Sequence, residues 1–268
     1  MSIPFLQRGR IGVVEVFGVI GGTVRVPQYD HLLRRLGRSR RIKAVVVDID
    51  SPGGSASASE YLYTSLARIT AIKPVVAFIR GSGTSGAYYL ACAASRVVAL
   101  PSSLVGSIGV ISLRPVIQEL LQRLGIGITV HKSGPFKDMG AFWRSPTPEE
   151  EAKLQALVDE FYQSFVQVVA RARGMEEERV REYATGELFT GRRAQELGLV
   201  DELGDLERAI DLAAELGKAP RRPMWVRPPR TFFERLGRRF AQEMTESLAQ
   251  QVERSLLQGV FYLPPRLP

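Results

Sequence analysis

Short apolar runs rich in β-branched residues recur in the first part of the chain, and each is followed by a segment of a different pattern. The runs at residues 11–16, 43–49 and 75–79 have the length and composition of buried strands. Apolar side chains recur at helical spacing in two of the segments between them, residues 29–36 and 57–69. Repeated strand–helix units predict a layered α/β fold with its functional site at the carboxyl ends of the strands.

Turns rich in glycine and serine follow two of these strands. The sequence DSPGGS occupies residues 50–55, and GSGTSG occupies residues 81–86. The second turn places Ser85 at the first turn of a helix, where free backbone amides and the helix dipole favour developing negative charge. This position suits a nucleophile. Serine is also a frequent helix cap, and for this turn taken alone the cap is the more common case.

The second half of the chain adds a loop with two lysines and a long helix. Residues 127–131 predict a strand that leads into the loop, which contains Lys132 and Lys137. The sequence TPEE at residues 147–150 predicts the start of a helix with a capping box, and this helix continues to about residue 173. Its apolar stripe consists of Leu154, Leu157, Val158, Phe161, Phe165 and Val168. We assign this stripe to packing and not to chemistry.

The composition changes after Gly217, where proline and arginine become frequent. We therefore divide the chain into an α/β domain at residues 1–218 and an extension at residues 219–268, a Pro/Arg linker followed by an amphipathic helical tail. Apolar residues recur every four positions in the tail, so the stripe winds around the helix. We favour packing of this tail against a neighbouring subunit. Binding to a membrane surface through its arginines is the alternative.

Composition excludes several classes of site. The chain has 268 residues, one cysteine and two histidines, so we expect no internal disulfide, no metal site and no cofactor. Its net charge is +8, but the body of the chain has no nucleic-acid-binding motif, and we expect no nucleic-acid partner. No apolar run is long enough to span a bilayer. We expect a soluble chain that is cytoplasmic or peripherally membrane-associated, with an N-terminal anchor absent from this sequence as a further option.

A serine nucleophile needs a base within hydrogen-bond reach. Neither His31 nor His131 has the sequence context of a triad histidine, whereas lysine replaces histidine in some serine hydrolases. Burial lowers the pKa of a lysine from about 10.4 towards 7 or 8 and so makes it a base. Lys137 is the lysine with suitable apolar neighbours in sequence. An adjacent carboxylate would oppose this effect, so we predict that Asp138 faces away from the amine.

Acyl transfer also needs amide donors for the oxyanion. The Gly53–Gly54 turn can present its backbone to a substrate because no side chain obstructs it. Gly86, directly after Ser85, supplies a second amide in the manner of a nucleophile elbow. The two donors would come from neighbouring corners of one sheet.

Five ordered motifs resemble those of the SppA-type signal peptide peptidases. They are DSPGGS, GTSGAYYLA, VGSIGVI, SGPFKDMG and FTGRRAQELGLVDELG, within residues 10–218. This family consists of Ser–Lys dyad serine proteases on the layered fold of Clp-type proteases and crotonases.

The resemblance implies a role for each site residue. Ser85 would be the nucleophile, Lys137 the general base and Ser107 the residue that orients the lysine, with Gly54 and Gly86 as the oxyanion hole. It also implies a ring-like homo-oligomer that digests hydrophobic peptides such as cleaved signal peptides. Thr84 and Asp50 depart from the family pattern and are expected to adjust the geometry of the site.

Two other functions are compatible with the same fold. A crotonase-like acyl-CoA enzyme would use similar oxyanion corners, but it needs a pocket for the adenosine phosphates. A non-catalytic adaptor would use Ser85 only as a helix cap. The sequence leaves open the side-chain preference of the substrate pocket, the ring size and the role of the tail.

Overall fold

One eight-stranded sheet forms the centre of the part of the chain that the computed structural model describes, residues 9–228. The strands are β1 (Arg10–Phe17), β2 (Ile42–Ser51), β3 (Val75–Thr84), β4 (Arg96–Ala99), β5 (Leu104–Gly106), β6 (Leu188–Thr190), β7 (Glu202–Leu203) and β8 (Pro223–Trp225). The helices are α1 (Val26–Arg38), α2 (Ala56–Thr70), α3 (Gly86–Ala91), α4 (Gln118–Arg123), α5 (Pro148–Arg173), α6 (Glu177–Tyr183), α7 (Gly191–Glu196) and α8 (Leu206–Leu216). Successive βα units confirm the predicted layered α/β architecture.

The central strands are buried on both faces, as their apolar sequences predict. β2 pairs in parallel with β1 on one side and with β3 on the other. Because side chains alternate along a strand, Val45, Val47 and Ile49 join the larger core cluster, whereas Ala44 and Val46 join a smaller one with α8. The sheet therefore separates two hydrophobic layers.

Strand β3 changes its partner halfway along its length. Its first half pairs with β4, and its last three residues, Ser82, Gly83 and Thr84, pair with β5. The Thr84–Gly106 pair is the last of this register and directly precedes Ser85. β5 also pairs with β6, in the only antiparallel pairing within residues 9–228. The short strand β5 thus fixes the end of β3 from which the nucleophile candidate projects.

Helix α5 begins with the predicted capping box, but its apolar stripe is buried only in the second half of the helix. The Thr147 hydroxyl accepts from the Glu150 amide, and the Glu150 carboxylate accepts from the Thr147 amide. Phe165 and Val168 are buried as expected. The first half of the predicted packing stripe is not buried, and Leu157 and Phe161 are 44% and 45% exposed. That part of the interpretation is wrong, because no layer of the protomer covers the first half of the helix.

Residues 109–147 form an extended segment, here called the arm, that joins the end of the sheet to α5. No residue of the arm is buried, and Ile111 and Leu113 are each 89% exposed. The strand predicted at residues 127–131 does not form, because this segment has no neighbouring strand with which to pair. The arm therefore presents apolar side chains to solvent.

The α/β unit extends past the predicted boundary at residue 218. Strand β8 lies in the predicted linker and pairs in parallel with β1, and the Arg227 guanidinium binds the Glu15 carboxylate through two hydrogen bonds. Compact units divide the chain into residues 1–227 and 228–268. The predicted amphipathic tail lies outside the described residues, so its proposed packing and membrane contacts stay predictions.

Candidate functional site

Ser85 lies at a strained corner between β3 and α3. Its φ is 51° and its ψ is −127°, a backbone conformation that residues other than glycine rarely adopt. The Ser85 amide donates to the Gly106 carbonyl at 2.8 Å, and the Ser85 carbonyl accepts from the Tyr89 amide at 3.0 Å. The hydroxyl makes no capping hydrogen bond to α3. Ser85 therefore occupies the N-cap position of α3, but its side chain does not cap the helix.

The Gly53–Gly54 turn packs directly against this corner. Both glycines have positive φ, 95° and 155°. A Cβ at Gly53 would lie 2.6 Å from the Gly86 nitrogen and 2.9 Å from the Ser85 Cβ, and a Cβ at Gly54 would lie 2.0 Å from the Ile20 carbonyl oxygen. Only glycine permits this contact, which brings the end of β2 beside the end of β3.

Two backbone amides converge beside Ser85. A Cβ at Gly86 would lie 3.4 Å from the Gly54 nitrogen, which places the Gly54 and Gly86 residues in direct contact. Within residues 9–228, neither amide donates a hydrogen bond to another group. Gly86 is the first residue of α3, so its amide has no partner inside the helix. Both amides are available to an oxyanion, and their role as an oxyanion hole stays a prediction.

Ser107 reaches the same place from strand β5. Its φ is 50°, and its amide donates to the Glu187 carbonyl at 2.7 Å. Since β5 pairs with the end of β3, Ser107 follows the strand partner of Thr84. Both Ser85 and Ser107 line one groove, so the structure brings together four of the five predicted site residues.

The groove has a volume of about 900 Å³ and reaches from Ser85 to the middle of α5, where residues between 158 and 165 line it. Its apolar walls come from Tyr89, Ile111, Val158, Phe161 and Phe165. The sequence interpretation missed the α5 residues as groove residues because a stripe at helical spacing is typical of core packing. The length of α5 is the signal that could have identified them. The helix is longer than the surface that α3 and its neighbours can cover, so part of its apolar stripe must lie outside the core.

Aromatic contacts stiffen the groove floor. The Tyr89 ring contacts both Tyr63 and Phe165 edge to face, with ring centroids 5.1 Å apart in each case. Burial raises the pKa of Tyr89 to about 12, so its hydroxyl is neutral at physiological pH. Tyr89 therefore offers the groove an aromatic surface and a hydrogen-bonding group without charge.

Lys137 is not in the groove of the protomer. It lies on the arm and is exposed, and no lysine is among the described residues that line the groove. The expected burial of Lys137 among apolar neighbours is therefore wrong for the single chain, because the arm has no buried residue. Asp138 faces Lys132 at 2.7 Å and Arg144 at 2.9 Å, which confirms that its carboxylate faces away from Lys137. The role of Lys137 as a base stays a prediction.

Other candidate sites are few. Cys92 is buried, and burial raises the pKa of its thiol to about 12, as expected of a core residue. Residues 9–228 contain no group of three or more metal-ligating side chains. In the same residues, no helix is both long enough and apolar enough to cross a bilayer.

Comparison with known proteins gives a consistent picture. The model of peptidase family S49 matches residues 67–219. A candidate protease of Synechocystis sp. is 39% identical over 209 residues, which are 78% of this chain and 75% of that protein. The chloroplastic serine protease SPPA of Arabidopsis thaliana is 33% identical over 201 residues, which are 75% of this chain but only 30% of that longer protein.

Solved structures show the same fold. The 1510-N membrane-bound stomatin-specific protease, solved as a mutant with a substrate peptide, has a TM-score of 0.54 at 16% identity and covers 86% of this chain and 97% of its own. ClpP1 of Listeria monocytogenes has a TM-score of 0.50 at 15% identity and covers 74% and 93%. The predicted Clp-like fold is confirmed.

Proposed function

The chain belongs to peptidase family S49, a family that includes serine proteases, and from this premise we propose that it is an endopeptidase in which Ser85 attacks the peptide carbonyl. The observation that carries this proposal is the Ser85 corner. The Ser85 hydroxyl makes no capping hydrogen bond to α3. It lies beside two unpaired amides, at one end of a groove with apolar side chains in its lining. This is the set of groups that acyl transfer needs, apart from the base.

The reaction follows from this geometry. The Ser85 oxygen attacks the carbonyl carbon while its proton passes to a neutral lysine amine, and the amides of Gly54 and Gly86 bind the oxyanion. When the carbon–nitrogen bond breaks, the lysine returns the proton to the leaving amine. Water then repeats the sequence and releases the acyl group from Ser85. The Ser107 hydroxyl, which lines the same groove, would orient the lysine.

Lys137 would reach Ser85 from the arm of a second copy of the chain. The groove of the protomer contains no lysine among its described residues, and Lys137 lies on a segment without buried residues. The apolar residues of the arm, with Ile111 and Leu113 at 89% exposure, gain free energy when another copy covers them. Assembly would thus complete the dyad and exclude water from it. A closed ring is the symmetric form of such a head-to-tail contact.

The groove favours peptides with apolar side chains. Aromatic and aliphatic side chains form part of its lining, and its volume of about 900 Å³ leaves room for several side chains. Cleaved signal peptides are apolar segments of this kind and are the substrates that we propose. Acyl-CoA is a poor fit, because the described groove lining includes Glu60, Asp159 and Glu160 but no lysine or arginine to bind the adenosine phosphates.

Mixed assemblies test whether Ser85 and Lys137 form the dyad, and whether the two residues of one site come from different chains. We expect Ser85→Ala and Lys137→Ala each to lower peptide hydrolysis by more than ~10³-fold, since members of a catalytic unit act together. Ser102→Ala and Lys43→Ala, at exposed positions outside the groove, are the matched controls and should retain activity. Co-expressing the two inactive variants with different tags, and purifying through both tags, yields mixed assemblies. These should recover activity, because some sites combine an intact Ser85 with an intact Lys137 from the neighbour.

Each failure has a distinct meaning. Full activity of Ser85→Ala, or no labelling of Ser85 by a fluorophosphonate, would eliminate the peptidase mechanism. Full activity of Lys137→Ala would eliminate the lysine as base. Inactive mixed assemblies, with both single variants inactive, would show that the dyad forms within one chain.

A further inference from the structure

Arg144 links the arm to the start of α5. Its Nη1 and Nη2 donate to the two carboxylate oxygens of Glu150, at 2.8 Å and 2.5 Å, and its Nε donates to the Asp138 carboxylate at 2.9 Å. A single planar guanidinium thus binds two carboxylates from different parts of the chain. Only arginine has donors in this forked arrangement.

Glu150 anchors this link to the helix. Its side chain is 3% exposed, and the carboxylate also accepts from the Thr147 amide at 2.9 Å as part of the capping box. Hydrogen bonds first from Arg144 and then from Thr147 lower the pKa of Glu150 to about 2. Glu150 is therefore a charged, fixed point at the first turn of α5.

Asp138 is held at the other end of the link. One carboxylate oxygen accepts from Arg144, and the other accepts from the Lys132 ammonium at 2.7 Å. Hydrogen bonds first from Arg144 and then from Lys132 hold the pKa of Asp138 well below its usual range. The Asp138 side chain is only 9% exposed, so the carboxylate is committed to these two partners.

Lys137 precedes Asp138 in a tight turn. The Lys137 amide donates to the Gly134 carbonyl at 3.2 Å, and the Ala141 amide donates to the Asp138 carbonyl at 3.0 Å. These bonds continue the turn on both sides of the Lys137–Asp138 pair. Fixing the Asp138 carboxylate therefore also fixes the position from which the Lys137 side chain projects.

We propose that Arg144 is a positioning residue for Lys137. The Arg144 guanidinium holds the Asp138 carboxylate away from the lysine amine, and it fixes the turn that contains Lys137 to α5. The inference rests on the proposed function of Lys137 as the base. The inference adds a requirement that the five sequence motifs do not contain. A cation must bind the Asp138 carboxylate, which is adjacent to the proposed base. The charged groups around the turn are Lys132, Asp138, Arg144 and Glu150, together with two further cations. Arg114 donates from Nη1 to the Gly140 carbonyl at 3.3 Å, and the Lys153 ammonium lies 4.5 Å from the centroid of the Phe136 ring.

Removing Arg144 should have an effect on proton transfer and not only on stability. Asp138 would lose one of its two partners, and its carboxylate could turn to the adjacent lysine. A carboxylate near an ammonium favours the protonated form and raises the pKa of the lysine. A base with a raised pKa is deprotonated only at higher pH, so catalysis would need more alkaline conditions.

The pH profile of kcat/KM for a peptide substrate tests this proposal. We expect Arg144→Gln to move the acidic limb of the profile to higher pH by about one unit, which is the size of shift that a close opposite charge produces. The double variant Arg144→Gln/Asp138→Asn should return the limb to its original position, because the carboxylate is then absent. Asp138→Asn alone should leave the limb in place. Size-exclusion chromatography and thermal unfolding show whether each variant is assembled and folded.

A purely structural role predicts a different result. Arg144→Gln would then lower activity equally at all pH values, and the unmoved limb would overturn the proposal. Should Arg144→Gln fail to fold, Arg144→Lys keeps a cation for the Asp138 carboxylate, so its limb should stay in place, and a limb that moves to higher pH in that variant would overturn the proposal. Failure of the proposed function is a different result. It would appear as full activity of the single variant Lys137→Ala, in which Arg144 is intact.

Discussion

The Ser85 site depends on single residues in backbone conformations that most side chains resist. Ser85 and Ser107 both have positive φ, and each follows a strand that pairs with the other's strand. Such strain persists only where surrounding structure imposes it, and it is concentrated at functional sites. Here the glycines on either side permit it, because Gly53 and Gly86 leave room for backbone to touch backbone.

Gly54→Ala should remove one donor of the oxyanion hole. The new Cβ would lie 2.0 Å from the Ile20 carbonyl oxygen, and alanine resists the positive φ of 155°, so the turn must shift. Loss of one oxyanion donor lowers kcat by about 10²–10³-fold. Steady-state kinetics should show this loss in kcat, while fluorophosphonate labelling still identifies Ser85 as the reactive serine. Gly37→Ala, in α1, is the matched control, because a Cβ there meets only ordinary contacts, with Ile69 at 3.5 Å and Ile72 at 3.9 Å. Unchanged kcat in Gly54→Ala would exclude the Gly54 amide from the mechanism.

The sequence predicts residues of this kind well when local chemistry dictates them. Gly54, Ser85 and Gly86 sit in turns whose glycines and strand ends are visible in the sequence, and parallel strands bring those ends together. The surroundings of Lys137 could not be predicted in the same way. Apolar neighbours in sequence bury a lysine only if another part of the structure covers them, and within residues 9–228 no residue of the arm is buried.

At the scale of elements, the arm and the first half of α5 share one property. Both expose apolar side chains, and α5 is capped and charged like a helix that is stable without such burial. The apolar spacing predicted that residues 148–173 form a helix, and the capping box predicted where the helix starts, since both features depend on local sequence. It did not predict which half is buried, because burial depends on the layers around the helix.

Leu113→Asp should separate folding from assembly. Leu113 is 89% exposed, so the change removes almost no burial within the protomer and should leave its thermal unfolding within about 0.5 kcal/mol of the original. A charge in an apolar interface is costly, and we expect size-exclusion chromatography with light scattering to show smaller species with lost activity. Leu113→Met is the conservative control and should assemble. Full assembly and activity of Leu113→Asp would show that this part of the arm lies outside the interface.

At the scale of the whole molecule, β8 sets where the folded unit ends. The sequence places a boundary at 218 because proline and arginine become frequent there, yet residues 223–225 add a strand to β1. A three-residue edge strand that begins with proline has almost no sequence signal of its own. The pairing arises from the open edge of β1, which is a property of the assembled sheet.

Two truncations test this boundary. A chain that ends at Arg227 retains β8 and the Arg227–Glu15 pair, and its melting temperature is the reference. A chain that ends at Lys218 leaves the edge of β1 uncovered, and its melting temperature should fall by several degrees, as a loss of about 1–2 kcal/mol produces in a domain of this size. Calorimetry of both chains at equal concentration measures the difference. Equal melting temperatures for the two truncations would show that β8 contributes nothing to stability.

No lysine lines the groove within residues 9–228, and on the proposed function this decides when activity begins. A newly made copy would carry its nucleophile and oxyanion hole but would lack the base until a neighbour supplies it. Single copies would therefore be latent, and specific activity would rise with protein concentration as copies meet. Such latency would protect other proteins from digestion during synthesis, because a copy that lacks the base cannot hydrolyse peptides. A separate propeptide would not be needed for this purpose.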